Sequence, residues 1–372
     1  MKKAFPIVVL VVLLVAVGVV FAAGPPGSGY KSGQQVQNVG NAAAQVVLTA
    51  YDQTGASYDC GTQSVAPGAS VNYLTESCTN IPAGFLGSAV VSADQPIAAI
   101  VNVHNKGTGS AAGQYQGTDG ADVATTINFP LAKSDHNGRT TTFYVQNASQ
   151  STNDINAVFS VGGTNYTYAK TGVPANAMVV ISPADAGVPA GKGNFGSLTV
   201  TGTQPLAGSS LEHQTTAPVG DNLQASKAFT AADGSTEVYC PLYRNAHTSK
   251  NQTTGAQVQN VGTSAVDVSF EVSAGGTSYG PYTANIAAGE SYNFFAATLS
   301  PALPANTLGS AKITSTGPVV AVVNDKGTVS GDERVTTYAC FGSGGTLVNV
   351  PLAKEHAGGN TTGVQAQNVG SA

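Results

Sequence analysis

Hydrophobic and polar residues alternate along most of this chain. In AVDVSFEVSAGG, Val266, Val268, Phe270 and Val272 fall on one side, and Asp267, Ser269 and Glu271 on the other. A period of two marks a strand with one buried face. Gly275-Gly276 then turns the chain. TSYGPY continues as strand, NIAAGESYNFF holds a second turn and strand, GSAKITST gives another, and PVVAVVN is a near-continuous apolar strand. The N-terminal part reads alike: AAQVVLTAYDQTG, ASVNYLT, GSAVVSAD and QPIAAIVNV. No segment after the first residues spaces its apolar positions by three and four, so almost no helix is expected there.

The pattern repeats about every 110 residues, with four landmarks in fixed order. A VQN segment ends at Asn38, Asn147 and Asn260, and QAQN ends at Asn368. A Gly-Ser step follows at Gly87-Ser88, Gly196-Ser197 and Gly309-Ser310. A proline-led apolar run begins at Pro96, Pro205 and Pro318, and a Pro-Leu pair stands at Pro130, Pro241 and Pro351. A period this long means tandem domains, not a solenoid of short units.

Short strands with turns about every ten residues, in units near a hundred residues, predict antiparallel β-sandwiches. The Pro-Leu strand could close one sandwich or open the next. Opening is favoured, because Cys240 and Cys340 then share one unit and can pair inside it. The expected division is residues 1–23, 24–125, 126–236, 237–346 and a partial fourth repeat at 347–372. On this division the first unit lacks its opening strand and the last residues carry strands without a sandwich. A chain cut within a repeat explains that, and so does head-to-tail strand addition in a fibre.

Composition narrows the function classes. Only 9% of residues are charged, against about a quarter in a typical soluble domain. Net charge is −5 and no Lys/Arg run occurs, so nucleic acid is not an expected partner. Lys2 and Lys3 precede an apolar run from Ile7 to Ala23, with small residues near its end, which reads as a secretory signal helix. The rival reading is an uncleaved anchor, the chain's one expected contact with a membrane. Four cysteines suit an oxidising, extracellular compartment. A turn near Gly68–Ala69 sets Cys60 almost opposite Cys78, which leaves Cys240 for Cys340. No C-x-x-C spacing supports zinc.

The order Asn38-Val39-Gly40, strand Val46–Ala50, Asp52, Gly55 and Ala66-Pro67-Gly68 resembles the immunoglobulin-like repeats of bacterial secreted and surface proteins. Asn260-Val261-Gly262, Val266–Val272 and Ala287-Ala288-Gly289 repeat it, while Asn147-Ala148-Ser149 and Pro174-Ala175-Asn176 depart from it. The resemblance implies an all-β chain of tandem immunoglobulin-like sandwiches: a stalk, adhesin or surface-layer component, or accessory repeats of a larger secreted enzyme. It brings no catalytic residues.

Little else points to chemistry. His136, His247 and His356 follow the Pro-Leu pairs and are expected in loops between domains. His104 and His213 stand one per unit. No G-x-S-x-G motif or paired carboxylate suggests catalysis. Acidic turns at Asp119–Asp122, Asp233-Gly234 and Gly331–Glu333 offer one or two carboxylates each, so calcium at a domain junction is the lesser reading beside the β-turn chemistry that accounts for Asp-Gly. No cofactor is expected. Sequons occur at Asn147, Asn165, Asn251 and Asn360. The expected partners are a surface or matrix component, polysaccharide included, and further copies of the chain. Trp, a usual glycan platform, is absent.

Overall fold

A computed structural model describes residues 29–105, 111–214, 223–329, 332–356 and 361–370. The expected signal helix at 1–23 lies outside them. The described residues are all-β, in antiparallel sheets, with four short 3-10 turns and no α-helix.

The first unit comprises β1 (Tyr30–Asn38), β2 (Ala44–Asp52), β3 (Ser57–Val65), β4 (Ser70–Leu74), β5 (Gly87–Ala93), β6 (Ile97–Asn105) and β7 (Ala112–Gln116). The second comprises β8 (Ala124–Lys133), β9 (Arg139–Asn147), β10 (Asn153–Val161), β11 (Thr164–Val173), β12 (Met178–Ile181), β13 (Phe195–Gln214) and β14 (Gln224–Lys227). The third comprises β15 (Ser235–Asn245), β16 (Thr253–Asn260), β17 (Val266–Ala274), β18 (Thr277–Ile286), β19 (Ser291–Phe295), β20 (Thr307–Val329) and β21 (Asp332–Ala339). The alternation read from β17 holds. Val266, Val268, Phe270 and Val272 are at most 4% exposed, while Asp267 and Glu271 face solvent.

In the first unit, sheets ordered β4-β1-β6-β7 and β3-β2-β5 share one apolar core, an arrangement consistent with a β-sandwich. In the second and third units the Gly-Ser strand and the proline-led strand are continuous. They run as β13 and β20, of 20 and 23 residues, and serve both halves of the unit. The first half of β13 pairs β10 and β8, and its second half pairs β9 and β14. The Pro-Leu strand therefore belongs to the unit that follows it: β8 pairs β13, and β15 pairs β20. The ladder shifts register at Pro130-Leu131 and at Pro241-Leu242, where proline has no N–H to donate. Immunoglobulin topology is not shown. Here the opening strand lies beside the sixth strand, whereas the immunoglobulin order puts it beside the second.

Each sequence landmark has a physical cause. The asparagine closing VQN is fully buried in all three units. Asn38 Nδ2 donates to Ala42 O and Val65 O, and Oδ1 accepts from Gly40 N. Asn147 does the same with Ser151 O, Val173 O and Ser149 N. Asn260 does it with Ser264 O, Ile286 O and Gly262 N. The Gly-Ser glycine lies against its neighbouring strand. A Cβ on Gly87, Gly196 or Gly309 would stand 2.1, 1.9 or 2.1 Å from the carbonyl oxygen of Tyr51, Ser160 or Ser273. The proline carbonyls of Pro96, Pro205 and Pro318 accept from the residue after each asparagine, at 2.9, 2.9 and 3.1 Å.

Cys60 is bonded to Cys78, and Cys240 to Cys340. The second bond ties β15 to the end of β21 across 100 residues. A loop that long contributes up to about 4–5 kcal/mol in the chain-entropy account.

The fourth copy has turn chemistry without a sheet. Lys354 N donates to Thr362 Oγ1, as Lys133 N does to Thr141 and Arg244 N to Thr254. Residues 347–356 and 361–370 form no strand.

Replacing Asn260 with Ala would take a partner from the buried Ile286 carbonyl, and from the Ser264 carbonyl and the Gly262 N–H, whose bonds are part-buried. At about 1–3 kcal/mol each, partly relieved by water, a loss of about 3 kcal/mol is expected. Urea unfolding followed by tyrosine fluorescence measures it. Asn165→Ala, at an exposed position, should change stability by less than about 0.5 kcal/mol.

Candidate functional site

The features that recur between units, rather than within them, are the junctions. The turn carbonyl ahead of β4, β12 and β19 is held from inside its unit by the VQN glutamine. Gln37 Nε2 donates to Gly68 O, Gln146 to Asn176 O and Gln259 to Gly289 O, at 3.1, 3.3 and 3.2 Å. The preceding unit then adds a serine. Ser88 Oγ donates to Asn176 O at 3.1 Å, and Ser197 Oγ to Gly289 O at 2.6 Å. Two successive units thus meet through corresponding atoms.

Apolar contact fills the rest. Ala111, Leu211, Leu223 and Ala225 form a buried cluster with Tyr30, Val103, Tyr115 and Tyr144 between units one and two. Phe229, Val320 and Val322 do so with Leu131, Val261 and Ala339 between units two and three.

The second junction also holds a buried charge. Glu212 is 4% exposed. Its Oε1 accepts from Lys133 Nζ at 2.8 Å and from Arg139 Nε, and its Oε2 accepts from Asn324 Nδ2 of unit three at 2.9 Å. Arg139 also donates to Gln224, whose Nε2 crosses to Thr336 O and Thr337 Oγ1. Burial pushes the Glu212 carboxyl up, but Lys133 and Arg139 outweigh it and hold it at about 2. In unit three Asp325 takes the same place, seven residues after the landmark proline, and Arg244 that of Lys133. They pair at 2.7 Å. Burial there outweighs Arg244 and His247, and the Asp325 carboxyl is raised. Its Oδ1 and Arg244 Nε are buried without a hydrogen bond.

The expected candidates sit elsewhere. His136 and His247 rest on loops of their own units. His136 Nδ1 accepts from Gly193 N at 2.9 Å with its ring on Phe195, and His247 Nδ1 faces Asn306 O at 3.4 Å. His356 is not their counterpart. Its φ of 52° matches Asp135 (53°) and Ala246 (45°), one residue earlier in the turn, and its Nδ1 meets Glu355. The Asp119 carboxylate accepts from Ala121 N, and that of Asp233 from Thr230 N and Lys227. Gly331 and Asn360 lie outside the described residues, and Asp332 and Glu333 open β21. Among the described residues no group of three His, Cys, Asp or Glu could hold a metal, and no helix is long and apolar enough to cross a membrane. Tyr292 and Phe295 are exposed but on opposite faces of β19.

Sequence reasoning missed Ser88, Ser197, Gln259 and Glu212. For Glu212 a signal existed. A carboxylate recurs at one step of an otherwise apolar strand, in a chain with few charges.

No family model matches the chain, and no curated protein does. Two solved structures align with parts of it. One is the crystal structure of Thermotoga maritima 1070, at 14% identity over 31% of this chain and 99% of that one, with a TM-score of 0.27. The other is the Anabaena sensory rhodopsin transducer, at 21% identity over 24% of this chain and 94% of that one, with a TM-score of 0.21. Likeness at this level carries no functional argument.

The low Glu212 carboxyl gives a signed expectation. A depressed folded pKa supplies stability above the unfolded value, near 4.5, and that stability is lost as pH falls toward about 2. Glu212→Gln should cost about 3 kcal/mol at pH 7, since it leaves Lys133 and Arg139 without their anion. The gap from wild type should shrink steadily below pH 4.5 in urea titrations.

Proposed function

We propose that the chain is a non-enzymatic, exported structural or adhesive element of the cell surface, built of immunoglobulin-like sandwiches in the broad sense of two antiparallel sheets around one core. The observation that carries this is the repeated junction, in which Ser88 and Ser197 donate to corresponding carbonyls of the next unit. A serine that meets the next unit twice in the same way supports a role in holding units in a fixed relation. The two disulfides agree with an oxidising compartment. The polar side chains that looked most like a site are engaged in turns and loops of their own units.

Cell fractionation with thiol trapping tests the reading. The protein is expected at the cell exterior, shortened near Ala23, with all four cysteines resistant to alkylation before reduction. A cytosolic protein with free thiols would sink the proposal. Hits on a glycan array would instead favour carbohydrate-binding accessory repeats.

A further inference from the structure

The sheet β3-β2-β5 ends at β5, whose second edge has no strand partner among the described residues. In the other units that edge carries the Pro-Leu strand. The effect on burial is direct. Leu198 and Val200, next along from the Gly-Ser step of β13, are 0% exposed, and Ala311 and Ile313 of β20 are 1% and 0%. Their counterparts Ala89 and Val91 are exposed and half-buried.

A matching strand exists in the chain and lies unused. Residues 345–354, GTLVNVPLAK, repeat β8, ATTINFPLAK, with identity at Thr346, Asn349 and Pro351 through Lys354. In β8, Ile127 and Phe129 are each 1% exposed, while their counterparts Val348 and Val350 are 74% and 46% exposed and Leu347 is 82%. We propose that Leu347–Lys354 of one copy adds as an antiparallel strand to the β5 edge of a second copy, so that unit one of that copy follows unit three of the first. This deepens the reading of the chain as an exported structural element and rests on it.

The register follows from the chain's own pairs. Phe129 lies opposite Leu198, and Cys240 opposite Ala311. Val350 then lies opposite Ala89, Asn349 opposite Val90, and Val348 opposite Val91. The same step continues the contacts between successive units. Within the chain, Val103 of unit one packs against the cluster that holds Leu211 of unit two, and Glu212 of unit two binds Asn324 of unit three. Continuing the series, Asp325 of unit three meets the position held by Asn102 in unit one. That places an amide donor at Asp325 Oδ1, a buried acceptor with no hydrogen bond. Arg244, Asp325, Arg334 and Thr336 line an open cleft there, where the corresponding space in unit two is covered by Asn324 and Thr337. Lys354 finds Val103 where Lys133 finds Glu212, so its ammonium extends past the strand end into water. Residues 361–370 touch unit three through Gln367 and Ala311 O at 3.5 Å, and the incoming β1 displaces them. Head-to-tail contact of this kind does not close on itself in a dimer and extends into filaments or rings.

The test uses the exported full chain in two single variants, Val90→Cys and Asn349→Cys. Mixed under mild oxidation, they should give a linked dimer whose 90–349 bond is identified by mass spectrometry. No such bond in the mixture, with both variants folded, would overturn the inference, as would a 90–349 bond found only within one chain of the double variant. Val348→Asp with Val350→Asp lies outside every sheet and should leave the fold intact. It should weaken association by light scattering at least about tenfold, because it buries unpaired charge at the joint; unchanged association also overturns the proposal. Failure of both arms with the protein still at the cell exterior removes only the strand addition, whereas cytosolic, reduced protein removes the function on which it rests.

Discussion

Each unit is organised around one buried side-chain amide. An asparagine removed from water must find partners for its donors and acceptor, or the fold loses free energy for each one left empty. Asn38, Asn147 and Asn260 find them in the residue four positions on and in the last residue of β3, β11 and β18, at Val65, Val173 and Ile286. Those segments meet only when both sheets are assembled. Apolar packing alone would tolerate several registers, because one Val substitutes for another. An amide with fixed donors and acceptor does not, so it selects the register that burial merely permits.

The second constraint is closure by the opening strand. In the units where β8 and β15 stand beside β13 and β20, eighteen and twenty buried residues form the cores; in unit one, without that strand, the described residues give six. The local disulfide Cys60–Cys78 belongs to this least buried unit. A covalent link matters most where burial is smallest, because there it offsets a larger share of the chain's conformational entropy. The long bond in unit three does different work. It fastens the opening strand to the last one, so β15 cannot leave its sheet without carrying the end of β21.

Much of this was legible in the residues, for reasons that can be named. Period-two alternation identified β17 because one face is buried and the other wet. Cys60 and Cys78 do bond, but not across the hairpin expected at Gly68–Ala69: β3 and β4 lie in different sheets, so the bond joins β3 of one sheet to the segment that follows β4 of the other. What could not be read depends on contacts between distant segments. Nothing local distinguishes a proline that ends a strand, as Pro96 does between β5 and β6, from one that a strand passes through, as Pro205 and Pro318 do. Strand neighbours were equally hidden, so the immunoglobulin order was expected where the opening strand in fact pairs the sixth. His356 looked like the third member of a set because it follows the same dipeptide, yet backbone φ assigns it to the position of Asp135 and Ala246. The junction serines were invisible for another reason. Their glycine neighbour is demanded by close approach inside the unit, which masks the separate use of the hydroxyl outside it.

Glu212 and Asp325 show how far a neighbour decides chemistry in such a chain. Both are carboxylates at one step of equivalent strands, beside a base from the opening strand. Glu212 has a second cation, Arg139, and an amide from the next unit, and it stays ionised well into acid. Asp325 has Arg244 and a vacant acceptor, and burial pulls it toward the neutral form. The two differ in what stands across the junction more than in their own unit. A buried half-paired carboxylate is costly wherever it occurs. Its place at the outer face of the third unit, where the second unit has a complete network, fits a surface shaped by the requirement to be covered by another unit of the same kind.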